Sequence, residues 1–449
     1  MIDATLIPWL LAGVPLLGAA LSPAFWAHPH RLMAWSVGVS AVSLASVAGF
    51  AGSLTTLPEG LLLLFLLPLA AGVSLLGQPH HQDHRASWVM TLLFLSLGLG
   101  ALTSQPVIGK LFLLAIHGFV IVLLYRHHTP LWPISWWGLG AYTLGALCLL
   151  LTLVAAPPLS SMAALLACTI LLPVVPFHDG HLTALTRLPG NLPPFMVLLF
   201  PALGLHSLAP LAATLPDTVV GIMSFLALAG TVYGAVKALA QSRVRLLLAY
   251  SSLSFFSMLW WCVVTTRTAT PRAALFVGAV GLVMCGLLLA WQIIRTRYGD
   301  DVDPQAISGL ASTMPQYAVL LSLLALAAMG LPPFGVFAGF MGLLLSSTAA
   351  FSAGIIVLVS AWLSSSWYIL DLVQKLLFGT RRSDLRYADL LQTELASLVI
   401  VVLTLLALGM VPVSLFGPDR TPAPTGANSQ LTDANSPAGA NSGSLVWNR

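Results

Sequence analysis

Apolar residues run along the chain in long blocks parted by short polar loops. The blocks show neither the two-residue alternation of a half-buried strand nor the one-sided stripe of a soluble helix. A run of about 18 to 25 apolar residues, wound as a helix, matches the roughly 30 Å hydrocarbon core of a bilayer, so each run predicts a span. The runs fall at 4–22, 32–54, 59–77, 88–102, 107–125, 135–156, 161–178, 192–212, 219–241, 245–266, 273–296, 314–347, 350–376 and 395–415. The pattern predicts an all-α membrane protein of about 14 transmembrane helices. The first run lacks a basic n-region and a small-residue cleavage site before His28, so it is read as a helix and not as a signal peptide.

Composition supports the same class. The chain is 58% hydrophobic and 7% charged, against about 25% charge in a soluble domain, so lipid must be its solvent. Basic residues gather in the loops after odd-numbered spans: Arg31, Arg85, Arg126, Arg187, Arg243 with Arg245, Arg295 with Arg297, and Lys375 with Arg381, Arg382 and Arg386. Lys110 and the pair Arg267 and Arg272 are the exceptions. By the positive-inside rule both termini lie on the outer face of a bacterial inner (cytoplasmic) membrane. The net charge of +4 is scattered and forms no patch for nucleic acid.

Two of the runs are interrupted. The seventh contains Pro173 and Pro176, and the twelfth contains Gly330, Pro332, Pro333 and Gly335. Proline removes a backbone donor and clashes with the preceding turn, so helices 7 and 12 are expected to break there. The breaks lie five spans apart on helices of opposite direction, which predicts two inverted five-helix repeats with a path near the midplane. The expected divisions are 1–102, the N-terminal helices; 103–212, the first repeat; 213–376, the second repeat; 377–416, a cytoplasmic loop and the last helix; and 417–449, a disordered tail rich in Pro, Ala, Asn, Gly, Ser and Thr.

No soluble catalytic signature is present. The sequence holds no nucleotide-binding glycine loop after a strand, no nucleophile elbow, no HExxH and no CxxC. Cys148, Cys168, Cys262 and Cys285 all lie inside apolar runs and read as small core residues. No catalytic residue, metal site or cofactor is therefore expected, and any redox chemistry falls to partner subunits. Nine of the eleven histidines, His28, His30, His80, His81, His84, His127, His128, His178 and His181, fall on the predicted cytoplasmic side. Without carboxylates or cysteines at ligand spacing, apart from Asp83, they read as interfacial solvation or a docking face for a soluble partner.

Four strings resemble the antiporter-like subunits of respiratory NADH:quinone oxidoreductase (complex I). They are Leu172-Pro173-Val174-Val175-Pro176-Phe177-His178; Ala240-Gln241-Ser242-Arg243-Val244-Arg245 continuing to Ser254; Gly309-Leu310-Ala311 with Met314-Pro315 and Gly330-Leu331-Pro332-Pro333; and Trp367-Tyr368 through Leu376-Leu377-Phe378-Gly379. They cover about residues 105 to 380 in the family's order. The superfamily also holds subunits of multisubunit cation/proton antiporters, membrane-bound hydrogenases and carbon-concentrating complexes. The resemblance implies a chain of buried ionisable groups: a glutamate on the fifth helix, a lysine at the seventh-helix break, a lysine or histidine on the eighth, polar groups on the eleventh, and a lysine or glutamate after the twelfth-helix break.

Those positions are apolar in this sequence. They fall on Leu171, near Ala202 and on Phe340, and the histidine often found after the serine-rich string is Phe255. The fifth span has no carboxylate, and the eleventh has no charged residue or histidine before Arg295. A proton relay needs titratable groups within hydrogen-bond or water-bridge reach. The chain is thus expected to be a diverged member whose wire is impaired or lost, with a wire through ordered water alone as the alternative. The candidate ion-path residues left are His117, His206 and Lys237. A satisfied core role competes for each histidine, and snorkelling to the headgroups competes for Lys237. Asp371 and Lys375, spaced i,i+4, form a candidate ion pair. Two functions remain open: a membrane subunit of a complex-I-like ion-translocating assembly, or a degenerate scaffold anchoring a soluble partner enzyme of a hydrogenase or inorganic-carbon uptake type complex. Both imply other membrane and soluble subunits as partners.

Overall fold

A hydrocarbon solvent offers backbone groups no hydrogen bonds, so a spanning segment must satisfy its own, and the α-helix does so. The computed structural model describes residues 6–53, 60–78, 84–126, 135–298, 307–346, 353–379 and 389–410. Within them run α1 (Ile7–Leu21), α2 (Pro29–Phe50), α3 (Gly60–Leu76), α4 (Arg85–Thr103), α5 (Pro106–Arg126) and α6 (Trp136–Val154). Next come α7 (Leu159–Leu171), α8 (Asp179–Arg187), α9 (Leu192–Ala212), α10 (Asp217–Leu239), α11 (Val244–Thr266) and α12 (Pro271–Tyr298). The chain continues through α13 (Leu310–Thr313), α14 (Pro315–Ala328), α15 (Gly335–Ser346), α16 (Ala353–Leu377) and α17 (Gln392–Met410). Among the described residues there is no strand. Eleven helices among the described residues are long and apolar enough to cross a membrane, and α3, α7, α14 and α15 are shorter apolar helices. The expected tail, the loop around Arg381 to Arg386, and His80, His81, His127 and His128 lie outside the described residues.

Burial sorts the helices into a post and a rim. The 28-residue α12 is buried from Ala273 to Ile294, and α3, α9, α11, α14, α15 and α17 pack around it. Close approach depends on missing side chains. A Cβ on Gly339 of α15 would lie 2.8 Å from Phe276 Cα of α12, and one on Gly234 of α10 would lie 2.7 Å from the Ser254 nitrogen of α11. The outer faces of α5, α6, α10 and α16 present Val122, Leu147, Phe225 and Leu363. Such surfaces suit acyl chains and would be costly in water.

Both expected breaks are present, and they shorten the predicted spans. The seventh span stops at Leu171, where Leu172 turns extended, and the chain resumes as a helix at Asp179. The twelfth span is two helices, α14 and α15, separated at Gly330, whose φ of 72° is left-handed and so favours glycine. A cis peptide precedes Pro176 in the first break and Pro333 in the second. Prolines alone do not break these helices, because Pro15, Pro68, Pro201 and Pro210 sit inside α1, α3 and α9. One proline forfeits one hydrogen bond, whereas Pro173 with Pro176, or Pro332 with Pro333, forfeits two within about one turn.

Candidate ion path and the two helix breaks

A helix that stops inside the bundle leaves carbonyls that lipid cannot satisfy. At both breaks a buried tryptophan from another helix supplies the donor. Trp260 Nε1 of α11 donates to the Leu172 carbonyl at 2.8 Å, and Trp362 Nε1 of α16 donates to the Met329 carbonyl, also at 2.8 Å. The two breaks therefore share a backbone device supplied by helices far apart in sequence.

The surroundings of the breaks differ. Near the first, His178 lies in the gap, with Nδ1 3.2 Å from the Pro176 carbonyl and its ring edge-on to Tyr233 of α10. His181 Nε2 on α8 meets Ser252 Oγ of α11 at 2.8 Å. Ser254 Oγ donates to the Thr231 carbonyl, and Ser257 Oγ is buried without a partner among the described residues. Tyr142 of α6 is fully buried between the rings of His117 and Phe200.

Near the second break the interior is aromatic. Phe255 of α11 meets Phe276 of α12 edge-on at 6.4 Å between centroids, Phe276 meets Phe340 of α15 at 6.3 Å, and Phe340 meets Trp362 edge-on. All four rings are buried. Two of the positions where the resemblance implies ionisable groups, Phe255 and Phe340, are thus members of one stack crossing α11, α12, α15 and α16. Leu171 and Ala202 are buried too, at 1% and 0% exposure, so no water-facing group stands in for the expected lysines there.

The three candidate ion-path residues are not brought together. His117 is fully buried on α5, its Nδ1 2.8 Å from the Leu113 carbonyl. His206 is half-buried on α9. Lys237, half-buried near the end of α10, holds Nζ 5.9 Å from the centroid of the Tyr233 ring one turn earlier. Among the described residues no hydrogen bond, ion pair or ring contact joins any two of them. Asp371 and Lys375 meet at 2.6 Å on the exposed face of α16, and the four cysteines are buried without disulfides. No group of three His, Cys, Asp or Glu side chains able to hold a metal occurs among the described residues.

Several polar contacts join residues that the sequence could not pair. Arg297 of α12 reaches Glu394 of α17 at 2.5 Å with both side chains largely buried. Gln292 Nε2 donates to Gln78 Oε1 at 2.6 Å, and Asn191 Nδ2 donates to Thr91 Oγ1 at 2.8 Å and Ser74 Oγ at 3.3 Å. These contacts tie α3, α4, α9, α12 and α17 at one end of the bundle. Arg297 and Glu394 each fall just outside a predicted span, so nothing in the residue pattern signals that they would pair.

Residues 158–367 match the family model described as NADH:quinone oxidoreductase/Mrp antiporter, TM. The chain is 26% identical over 268 residues to the NADH-quinone oxidoreductase subunit M of Rickettsia felis, covering 56% of this chain and 52% of that one. It spans about half the length of the curated relatives it matches. A chain of respiratory complex I from Thermus thermophilus has the same fold, with a TM-score of 0.73 at 20% identity over 93% of this chain and 100% of the other. So does a chain of the membrane-bound sulfane sulfur reductase, an archaeal respiratory membrane complex, with a TM-score of 0.76 at 13% identity over 91% and 95%.

Proposed function

We propose that the chain is an antiporter-like membrane subunit of the NADH:quinone oxidoreductase and Mrp antiporter superfamily, a reading supported by the family match, the relatives and the shared fold, and that it serves a complex-I-like ion-translocating assembly with its own proton wire interrupted. The two breaks then occupy equivalent places in two inverted five-helix repeats, and other membrane and soluble subunits surround them. The observation that carries the reading is the ring stack Phe255, Phe276, Phe340 and Trp362. It fills the second repeat where a relay would need titratable groups, and ring edges neither accept nor release protons. His117 is the surviving ion-path member, whereas Lys237 carries its charge toward the headgroup layer.

The test is proton uptake by proteoliposomes holding the complex purified through this chain, and by proteoliposomes holding the chain alone. The interrupted wire leaves the chain alone without uptake under an imposed potential. Uptake by the chain alone that is lost on His117→Leu or Lys237→Met would overturn it. An anchoring role for a soluble partner is the second reading, favoured by the same sealed interior and by the buried Arg297–Glu394 tie. A complex that remains catalytically active yet pumps nothing, and that falls apart without this chain, selects it.

A further inference from the structure

The half-helix α14, which runs into the second break, is not capped by its own flanking chain. It opens on Met314 with Pro315 at its first position, and Met314 offers no side-chain hydrogen bond to the amides that follow. The first turn of a helix leaves amide donors that need an acceptor, and the residue just before the helix usually supplies it. Here the acceptor is Asp389, 73 residues beyond Gln316 in the chain. Its Oδ2 accepts from the Gln316 amide at 2.9 Å, and its Oδ1 accepts from the Tyr317 amide at 3.3 Å. The same Oδ1 accepts from the Leu390 amide at 2.8 Å, so one carboxylate serves two segments.

Glu394 fastens the same stretch to α12. Its Oε2 accepts from the Leu391 amide at 2.9 Å and pairs with Arg297 in the last turn of α12. Arg297 Nη1 in turn lies 3.6 Å from Met314 Sδ, so the ion pair and the borrowed cap meet where α14 begins. Tyr317 Oη adds a direct tie, donating to the Ala290 carbonyl of α12 at 3.2 Å. Met314 and Tyr317 are fully buried, whereas Leu391, between the two carboxylates, is exposed. A cap alone requires only Asp389. A buried ion pair adds little net stability, because both charges lose their water, and what it fixes is geometry. From Pro315 to Ala328 the helix rises about 21 Å, and beyond its far end stands Met329, whose carbonyl accepts from Trp362.

We propose that Asp389 to Glu394 forms a strap that sets the position of α14 against α12, so that the second break answers to contacts made one helix length away on the segment entering α17. A packed helix carries a displacement from one end to the other. The strap stands whether or not the subunit moves ions. Hydrogen–deuterium exchange, read by mass spectrometry on the full chain within its complex in lipid nanodiscs, tests it. Asp389→Ala should speed exchange several-fold along α14 as far as Met329 and Gly330, while Ile170 to Leu172 at the first break exchange as before. Asp389→Asn, which keeps an acceptor oxygen, should restore exchange close to that of the unaltered chain. Faster exchange confined to Gln316 and Tyr317 would reduce Asp389 to a local cap and overturn the strap, and so would equal acceleration at both breaks. If the alanine variant fails to assemble, the unaltered chain decides. Peptides covering 314–331 and 389–395 should open together as one cooperative unit, and opening rates more than about ten-fold apart would overturn the proposal.

Discussion

The neighbourhoods of the two breaks use the same backbone device and opposite side-chain chemistry. Each interrupted helix has a carbonyl that accepts from a tryptophan indole at 2.8 Å, Leu172 from Trp260 and Met329 from Trp362. Around the first break stand His178, His181, Ser252, Ser257, Tyr142 and His117, and across the second stand Phe255, Phe276 and Phe340. At each break one of the carbonyls freed by the interruption is satisfied by packing within the bundle. The same interruption of a helix can therefore be packed with polar or with aromatic side chains.

The contrast can be broken most directly in the ring stack. Phe340→Ala removes its centre, and a large-to-small change in a close-packed core costs about 3–5 kcal/mol. Thermal unfolding in detergent should show that loss, and a loss below about 1 kcal/mol would mean that the second half is loosely filled. Phe340→Lys should be worse tolerated than Leu171→Lys, since only the first break has histidine, serine and tyrosine groups nearby to share a charge. Equal expression and stability of the two lysine variants would erase the distinction.

Smaller effects follow in order. Glu394→Ala leaves Arg297 largely buried without its carboxylate, a change that costs about 3 kcal/mol when a buried pair loses one member. The variant should free the α17 end of the bundle, seen as faster proteolysis near residue 394. Trp260→Phe and Trp362→Phe each strip the donor from one break carbonyl, with an expected loss of about 1–3 kcal/mol. The two losses should match, and a large inequality would show that the two breaks do not depend on the same device. Asp371→Ala should change stability by no more than about 0.5 kcal/mol, because its partner Lys375 and the pair itself lie on the exposed face of α16.

Much of this arrangement is legible in the sequence. Clustered prolines and glycines marked both breaks, and run lengths marked the spans, because both signals are local. That the positions where the resemblance implies ionisable groups fall on Leu171, near Ala202 and on Phe340 is likewise readable from residue order alone. What periodicity cannot give is the partner across the bundle. His181 and Ser252 are 71 residues apart, Arg297 and Glu394 are 97 apart, and Gln78 and Gln292 are 214 apart. An apolar run hydrophobic all round also hides which of its faces turns inward, so the meeting of Phe255, Phe276 and Phe340 stays invisible until the helices are packed. The same gap explains why His117, His206 and Lys237, grouped by residue type, belong to separate surroundings. Tyr142, an aromatic among aromatics, gave no sign that it would meet His117.

The buried post α12 carries a consequence for how the protein is made. Its apolar surface from Ala273 to Ile294 is enclosed by α3, α9 and α11, which are synthesised before it, and by α14, α15 and α17, which come after. During synthesis this helix must wait in the bilayer with one flank bare until α17 arrives. A ribosome stalled anywhere between residues 300 and 390 would strand an open bundle, the kind of substrate that membrane proteases recognise.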